Sequence, residues 1–385
     1  VKINQKPLLI GIDANEANIN NRVGVNQFAF EVIWGIYRLN KKEGRRNVFR
    51  IFLQNKPLVD LPPETSWWKY EVFGPKLFWT RTGLVKRLFL GKPKPDVFFS
   101  PSHYGPGISP IPYVVSIMDL GFLKFQEQFT KKDLYQLKNW TKQSIKKSTK
   151  IIAISKFTKK DIIRNYQVEN NKIVVSYPGF TKTKSSTEIL KNHMKSKLDI
   201  GSDYILYLGT MKPSKNIEGL IKAFNILVSE NKIKNTKLVI AGKKGWLYQS
   251  IYNLVKKLNL EEKVIFTGFI PDNQVNALIK NAKAFLLVSF WEGFGIPVLE
   301  AMSFGVPVIC SNAGSLPEIT GNSAILINPK NHKQIALEIE RVLKDKQLKS
   351  SLARKGKARA EMFDWQNCSK IILDAIISVA SKNTK

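Results

Sequence analysis

The sequence predicts an α/β fold built from two doubly wound domains, and three observations carry that prediction. Short continuous runs of Ile, Val and Leu alternate with amphipathic helical stretches, as parallel strands buried on both faces and joined by helices require. The alternation runs in two series that break at Pro178-Gly179. A chain of 385 residues holds two such series at ordinary domain size.

The first series offers six strands: Leu8–Ile12, Val48–Leu53, Asp96–Phe99, Tyr113–Met118, Lys150–Ile154 and Lys172–Ser176. After the break, Lys182–Ser202 is polar and without strand pattern, so 179–202 reads as a linker. The second series offers Tyr204–Leu208, Lys237–Ala241, Lys263–Thr267, Ala284–Val288, Val306–Cys310 and Ala324–Ile327. Ile217, Leu220, Ile221, Phe224, Leu227 and Val228 keep the spacing of one helical face. A last helix, about Asn367–Ser381, lies beyond the second series. The organisation is therefore a Rossmann-like domain over 1–178, the linker, and a second Rossmann-like domain over 203–365. Both sets of strand carboxyl ends are expected at one interdomain cleft, since open α/β sheets bind ligands there.

Composition removes several classes. Hydrophobic residues make up 43% of the chain, with 23 Gly and 18 Pro, which excludes collagen, disorder and low complexity. No run of about 18 apolar residues occurs, so no transmembrane helix is predicted, and the first residues lack the plan of a signal peptide. Cys310 and Cys368 are too few and too far apart for a disulfide framework or a zinc cluster. A reduced, cytoplasmic protein is expected.

Charge is the outlier: 61 Lys and Arg stand against 30 Asp and Glu, a net charge of +31. Such an excess speaks to partners rather than to fold. No zinc finger, RRM signature or basic zipper accompanies it, so no specific nucleic-acid partner is expected. An anionic membrane surface and a general lysine bias remain as readings. Within 69–94, Lys76, Arg81, Lys86, Arg87, Lys92 and Lys94 are mixed with Phe73, Phe78, Trp79, Leu84, Leu88 and Phe89, just after Trp67 and Trp68. That mixture suits the headgroup boundary of a bilayer. It equally suits a core filled by the aromatics with lysines facing water.

The chemistry concentrates in Ser289-Phe290-Trp291-Glu292-Gly293-Phe294-Gly295-Ile296-Pro297-Val298-Leu299-Glu300-Ala301-Met302, which follows a strand and opens a helix. Gly293 and Gly295 let the backbone approach a ligand and take positive φ. Pro297 suits the first helical turn. The helix start presents N–H groups to an anion. Glu292 in the loop and Glu300 a turn into the helix face one ligand from two depths.

Those residues resemble a known family. Glu292 and Glu300, eight apart around Gly-Phe-Gly-Ile-Pro, are similar to the E-x7-E signature of retaining GT-B glycosyltransferases of the family 4 type. The resemblance extends to Leu208-Gly209-Thr210-Met211-Lys212-Pro213-Ser214-Lys215-Asn216, to Ala241-Gly242-Lys243-Lys244-Gly245-Trp246 and to Thr267-Gly268-Phe269-Ile270-Pro271-Asp272. Gly305–Val308 and Gly314-Ser315-Leu316-Pro317-Glu318 complete it. The first half resembles the family more loosely, at Gly24–Phe28, Asp96–Pro106, Ser116–Leu120 and Ile154–Thr158.

The resemblance implies a GT-B fold that transfers a sugar from a nucleotide diphosphate sugar with its anomeric configuration retained. The last helix is expected to pack back on the first domain. Catalysis is expected of Glu292, Lys215 and Asp119. Lys215 would meet the charge on the leaving diphosphate, Glu292 the sugar or β-phosphate, and Glu300 the ribose. The donor set is completed by Gly24, Gly209, Ser214, Gly242, Gly293, Phe294, Gly295 and Ile296. Asp119 either orients the acceptor or caps the helix that follows. His103 and Met118 are candidates for the sugar or acceptor pocket.

No Asp-x-Asp pair occurs, so no metal and no cofactor beyond the co-substrate are expected. GDP-mannose is the favoured donor and a UDP-hexose the next. The expected acceptor is a glycan or lipid-linked glycan, in polysaccharide biosynthesis at the inner face of the membrane. Met118 stands where the family has His, Ser214 where it has Arg, and Asn26 and Gln27 where it has Gly and Arg. A GT-B-shaped binding protein with weakened catalysis is therefore the competing class.

Overall fold

The structure, a computed structural model, describes residues 7–44, 46–181, 200–245 and 247–382. It divides into two compact units: the residues up to Gly179 together with those from Asp364 on, and Phe180–Phe363. Most of the expected linker, 182–199, and Trp246 lie outside the described residues.

Unit 1 is a parallel sheet of β1 (Leu9–Asp13), β2 (Val48–Leu53), β3 (Trp68–Val72), β4 (Val97–Ser100), β5 (Tyr113–Ile117), β6 (Lys150–Ala153) and β7 (Ile173–Val175), in the order β3-β2-β1-β4-β5-β6-β7. Its helices are α1 (Val25–Lys42), α2 (Gly83–Leu90), α3 (Lys131–Lys147) and α4 (Lys156–Tyr166). The central strands bury Ile10, Ile12, Phe98, Phe99, Val114 and Val115 on both faces. Thr130 caps α3 by accepting from Asp133 N, and Ser155 caps α4 by accepting from Thr158 N. Strand order reverses between β1 and β4, which opens a crevice beyond their carboxyl ends.

The sheet has a seventh strand where the sequence reading has six. β3 reads Trp-Lys-Tyr-Glu-Val and pairs with β2 at the sheet edge. Only Trp68 of the five residues is fully interior, so no apolar run marks the strand. The basic, aromatic stretch around it also divides. Trp67, Trp68, Trp79, Leu84 and Leu88 are interior, while Leu77, Phe78, Phe89 and Leu90 are exposed. The Trp79 indole donates to Phe73 O at 2.9 Å, whereas the buried indole N–H groups of Trp67 and Trp68 have no partner.

Unit 2 is a second parallel sheet of β8 (Tyr204–Leu208), β9 (Lys237–Ala241), β10 (Val264–Gly268), β11 (Phe285–Leu287), β12 (Val308–Ser311) and β13 (Ile325–Ile327), in the order β10-β9-β8-β11-β12-β13. Its helices are α5 (Ile217–Ser229), α6 (Gln249–Lys257), α7 (Asp272–Lys280), α8 (Ile296–Ser303), α9 (Leu316–Thr320), α10 (His332–Lys344) and α11 (Lys346–Ala360). The predicted stripe of α5 is buried at Ile217, Leu220, Ile221, Phe224 and Leu227. Here the order reverses between β8 and β11.

The last helix, α12 (Trp365–Lys382), belongs to unit 1 and packs along α1. A Cβ on Gly35 of α1 would collide with Ser369 Oγ, so glycine sets how closely the helices cross. Trp365 meets Phe28 edge-on, and Ser176 Oγ donates to Cys368 O at 3.0 Å. Both cysteines are free and buried. Among the described residues no helix is long and apolar enough to cross a membrane.

Candidate active site

In unit 2 the loops after β8 and β11 flank the reversal point, and the predicted catalytic pair sits on them. Lys215, from the first loop, lies with its Nζ 2.6 Å from Glu292 Oε1 on the second. Ser289 Oγ donates to the same carboxylate oxygen at 2.7 Å. Both side chains of the pair are largely shielded, 19% and 11% exposed, which strengthens their attraction over that of a surface pair. The buried Tyr207 hydroxyl beneath them has no hydrogen-bond partner. Burial and the Glu292 charge hold it well above its ordinary pKa.

Backbone contacts fix these loops. Phe290 N donates to Ser214 O at 2.9 Å, tying the loop of Lys215 to that of Glu292. The buried Asn216 amide donates to Val288 O at 3.0 Å and Pro329 O at 2.6 Å. From the loop after β12, Ser315 N and Oγ donate to Glu292 O, and Oγ is also within 3.0 Å of Phe294 O. A Cβ on Gly314 would strike the Glu292 backbone, so the two loops touch along their main chains.

Gly209, Gly242 and Gly268 stack at the ends of β8, β9 and β10. Gly209 N donates to Ala241 O, and Gly242 N to Gly268 O, each at 2.9 Å. Gly242 has φ 144, and a Cβ there would fall on the Gly209 carbonyl oxygen. The three strand ends therefore present bare backbone. Beside them Lys243 stacks on the exposed Phe269 ring, 4.7 Å from its centroid.

Gly295 begins α8 with φ 106, and no side chain caps the helix. Its first turn therefore presents backbone amides to the loop of Glu292. Gly293 and Phe294 are buried, whereas Ile296 and Glu300 are half-buried on successive turns of α8. The structure thus gathers Lys215, Ser214, Gly209, Gly242, Glu292, Gly293, Phe294, Gly295, Ile296 and Glu300 on the carboxyl side of one sheet.

The other predicted residues lie in unit 1, also beyond strand carboxyl ends. Gly24 starts α1 with φ 56, with open space around it and no side-chain cap on the helix. Asn26 donates to Glu16 Oε2 at 2.5 Å and Gln27 to Glu31 Oε1 at 3.0 Å. Met118 is buried. Asp119 Oδ1 accepts from Gly121 N at 2.6 Å, a local side-chain turn ahead of the short helical turn Gly121–Leu123, whose N-cap position is Leu120. His103 Nδ1 is shielded and has no partner. Burial lowers the His103 pKa while the Asp119 charge opposes it.

Sequence reasoning passed over five residues here. Ser289, Ser315 and Tyr207 surround Glu292, but neutral side chains carry no signal of charge chemistry. Asp13 ends β1 and Glu16 follows it, and the signal available was two carboxylates three apart at a strand end. Burial pushes Asp13 up to about 6, against hydrogen bonds from Asn15. Burial, and then the Asp13 charge, push Glu16 up to about 7. Among the described residues no group of three or more His, Cys, Asp or Glu is placed to hold a metal ion.

Comparison with known proteins converges on one assignment. Residues 188–359 match the family of glycosyl transferases group 1, and residues 43–183 match glycosyltransferase family 4. O-antigen chain mannosyltransferase B of Escherichia coli is 31% identical over 265 residues, 68% of this chain and 69% of its own. Sucrose-phosphate synthase from Thermosynechococcus elongatus superposes with a TM-score of 0.74 at 17% identity, over 97% of this chain and all of its own. Anabaena HepE, solved with UDP-glucose, superposes with a TM-score of 0.72 at 18% identity, over 96% of this chain and 100% of its own. These likenesses show the GT-B fold.

Proposed function

The chain belongs to the glycosyl transferases group 1 family and is a glycosyltransferase; on that premise we propose that it moves a mannose from GDP-mannose, with retention of configuration, to a growing glycan or lipid-linked glycan. The C1–O bond to the β-phosphate breaks, a C1–O bond to the acceptor oxygen forms, and the acceptor's hydroxyl proton passes to the departing diphosphate. Negative charge gathers on the departing diphosphate. Lys215 and the uncapped start of α8 meet that charge without a divalent cation.

The observation that carries this reading is the Lys215–Glu292 pair at the reversal point of the second sheet. Arrival of a diphosphate gives Lys215 a second anion. Glu292, still held by Ser289, is then left to accept hydrogen bonds from sugar hydroxyls. The ribose falls to Glu300, and the base to the bare backbone around Gly242 and Gly268. In unit 1 we assign the acceptor to the crevice beyond β1 and β4, bordered by Asp13, Glu16, His103 and Asp119.

Mannose is favoured because the E. coli relative is a mannosyltransferase of O-antigen chains. A UDP-hexose is the second reading, favoured by HepE, whose crystals hold UDP-glucose. A lipid-linked acceptor places the enzyme at the inner face of a membrane. A thermal-shift series with UDP, GDP, ADP and CDP and their sugar conjugates tests the donor. A ligand that binds only the folded state raises the melting temperature. One diphosphate stabilising the wild type but not Glu300→Ala supports both the donor and the ribose contact. No shift with any at millimolar concentration refutes the reading.

A further inference from the structure

We propose that Lys243 and Phe269 read the base of the donor nucleotide, selecting a base that turns a keto oxygen toward the lysine: guanine first, then uracil, over adenine and cytosine. The inference rests on the donor site assigned above and names what that site discriminates.

Both residues border the bare backbone to which the base is assigned. Gly242 follows β9 and Gly268 ends β10, and Lys243 and Phe269 are the next residues in the chain. The lysine is anchored by its main chain. Met211 N donates to Lys243 O at 2.9 Å, and Gly245 N returns to Met211 O at 3.0 Å. The Lys243 side chain is half-buried. Its ammonium lies 4.7 Å from the centroid of the Phe269 ring.

The ring is presented rather than packed away. Phe269 is 44% exposed, while Ile270 beside it is 7% exposed. Phe266 of the same strand is stacked on Tyr252 at 4.1 Å. Lys244 is committed to that second group, 5.1 Å from the Tyr248 ring centroid and 5.4 Å from that of Tyr252. The two consecutive lysines therefore serve different aromatic groups, and Lys243 serves the one at the strand ends.

An open phenyl face with an ammonium over it suits a nucleotide base. The base stacks on the ring, as bases do on exposed aromatic side chains. The ammonium gives up its attraction to the phenyl face, which is modest at an exposed site, and gains a charge-assisted hydrogen bond at the edge of the base. Lysine has three donors and no acceptor, so that edge must accept. Guanine accepts at both N7 and O6, and uracil at O4, whereas adenine and cytosine place an amino donor at the equivalent position. Guanine leads because it offers two acceptors and lays two fused rings on Phe269.

The test is calorimetric titration of the full chain with GDP, UDP, ADP and CDP. Wild type is expected to bind GDP most tightly, UDP next, and ADP and CDP roughly tenfold more weakly than their keto counterparts. Phe269→Ala is expected to weaken GDP binding roughly tenfold. Lys243→Met should bring GDP and ADP to nearly equal affinity. Lys243→Glu, which accepts where lysine donates, should put ADP ahead of GDP and CDP ahead of UDP. The ligand-free variants are expected to melt with wild type. Equal wild-type affinity for all four nucleotides overturns the proposal. So does an unchanged ranking in both Lys243 variants, which would leave the lysine as a cover for the ring, or unchanged GDP binding by Phe269→Ala. In each of those cases diphosphate binding persists and the donor site stands. Failure of folded wild type to bind any of the four refutes the donor reading itself, and the base selection with it.

Discussion

Glu292 Oε1 receives two donors in this structure, Lys215 Nζ at 2.6 Å and Ser289 Oγ at 2.7 Å. The lysine is therefore already engaged, and on the reading proposed above a diphosphate draws it away from that carboxylate. Lys215→Ala is expected to lower kcat/KM by about 10²–10³, the usual effect of deleting one electrostatic stabiliser. Lys215→Arg should recover part of the loss. Steady-state transfer kinetics check both, and wild-type rates in Lys215→Ala would refute the role.

Ser315 holds the Glu292 loop by its main chain. Ser315→Ala removes hydrogen bonds to Glu292 O and Phe294 O and should cost about 1–2 kcal/mol of stability. It should also raise KM for the donor more than it lowers kcat, because the loop loses its position and keeps its chemistry. Urea unfolding and initial-rate kinetics together test the split.

Two glycines separate backbone strain from ligand access. Gly242→Ala puts a Cβ on the Gly209 carbonyl at φ 144, and should cost about 1–3 kcal/mol or prevent folding. Gly24→Ala meets no neighbouring atom, but its φ 56 and ψ −118 lie outside the left-handed helical region, so strain of about 1–3 kcal/mol is expected without a clash. A large loss of transfer in well-folded Gly24→Ala would then report a ligand close to that backbone. Circular dichroism melts beside activity assays make the comparison.

Asp13 and Glu16 make unit 1 sensitive to pH. Their folded pKa values, about 6 and about 7, lie above the usual carboxylate values. The folded state thus holds protons that the unfolded chain has released, and stability falls as pH rises from about 4 to 7. Glu16→Gln is expected to raise the melting temperature at pH 8 and to leave it nearly unchanged at pH 4. Equal melting temperatures at pH 8 would show that Glu16 is not buried as described.

Trp79 and Leu77, two residues apart, should behave as opposites. Trp79→Ala removes a side chain 2% exposed and should cost about 3–5 kcal/mol. Leu77→Ala, 70% exposed, should change stability by less than about 0.5 kcal/mol. Chemical denaturation distinguishes them directly.

Much of the second sheet was legible because its strands are continuous apolar runs, three of which end at a glycine, as at Leu208-Gly209 and Ala241-Gly242. β3 escaped because an edge strand needs only one buried side chain, and Trp68 supplies it. The motifs named Lys215 and Glu292 separately. Their contact, 77 residues apart in sequence, depends on β8 lying beside β11, which no local pattern reports. Asp13 and Glu16 were missed because burial, not residue type, sets them apart. In 67–94, chain composition gave no means of telling Trp79, turned inward, from Phe78 beside it.

Helix α12 sets a temporal order on synthesis. Unit 1 places α1 against a helix that begins at Trp365, and Ser176 reaches its partner Cys368 across 192 residues. A ribosome must therefore make all of unit 2 before α1 receives its cover. Until then Phe28 and the Gly35 face of α1 are open to chaperones and proteases. A frameshift between Phe363 and Trp365 would leave the first unit without its cover, although every residue of the proposed donor site had already been translated.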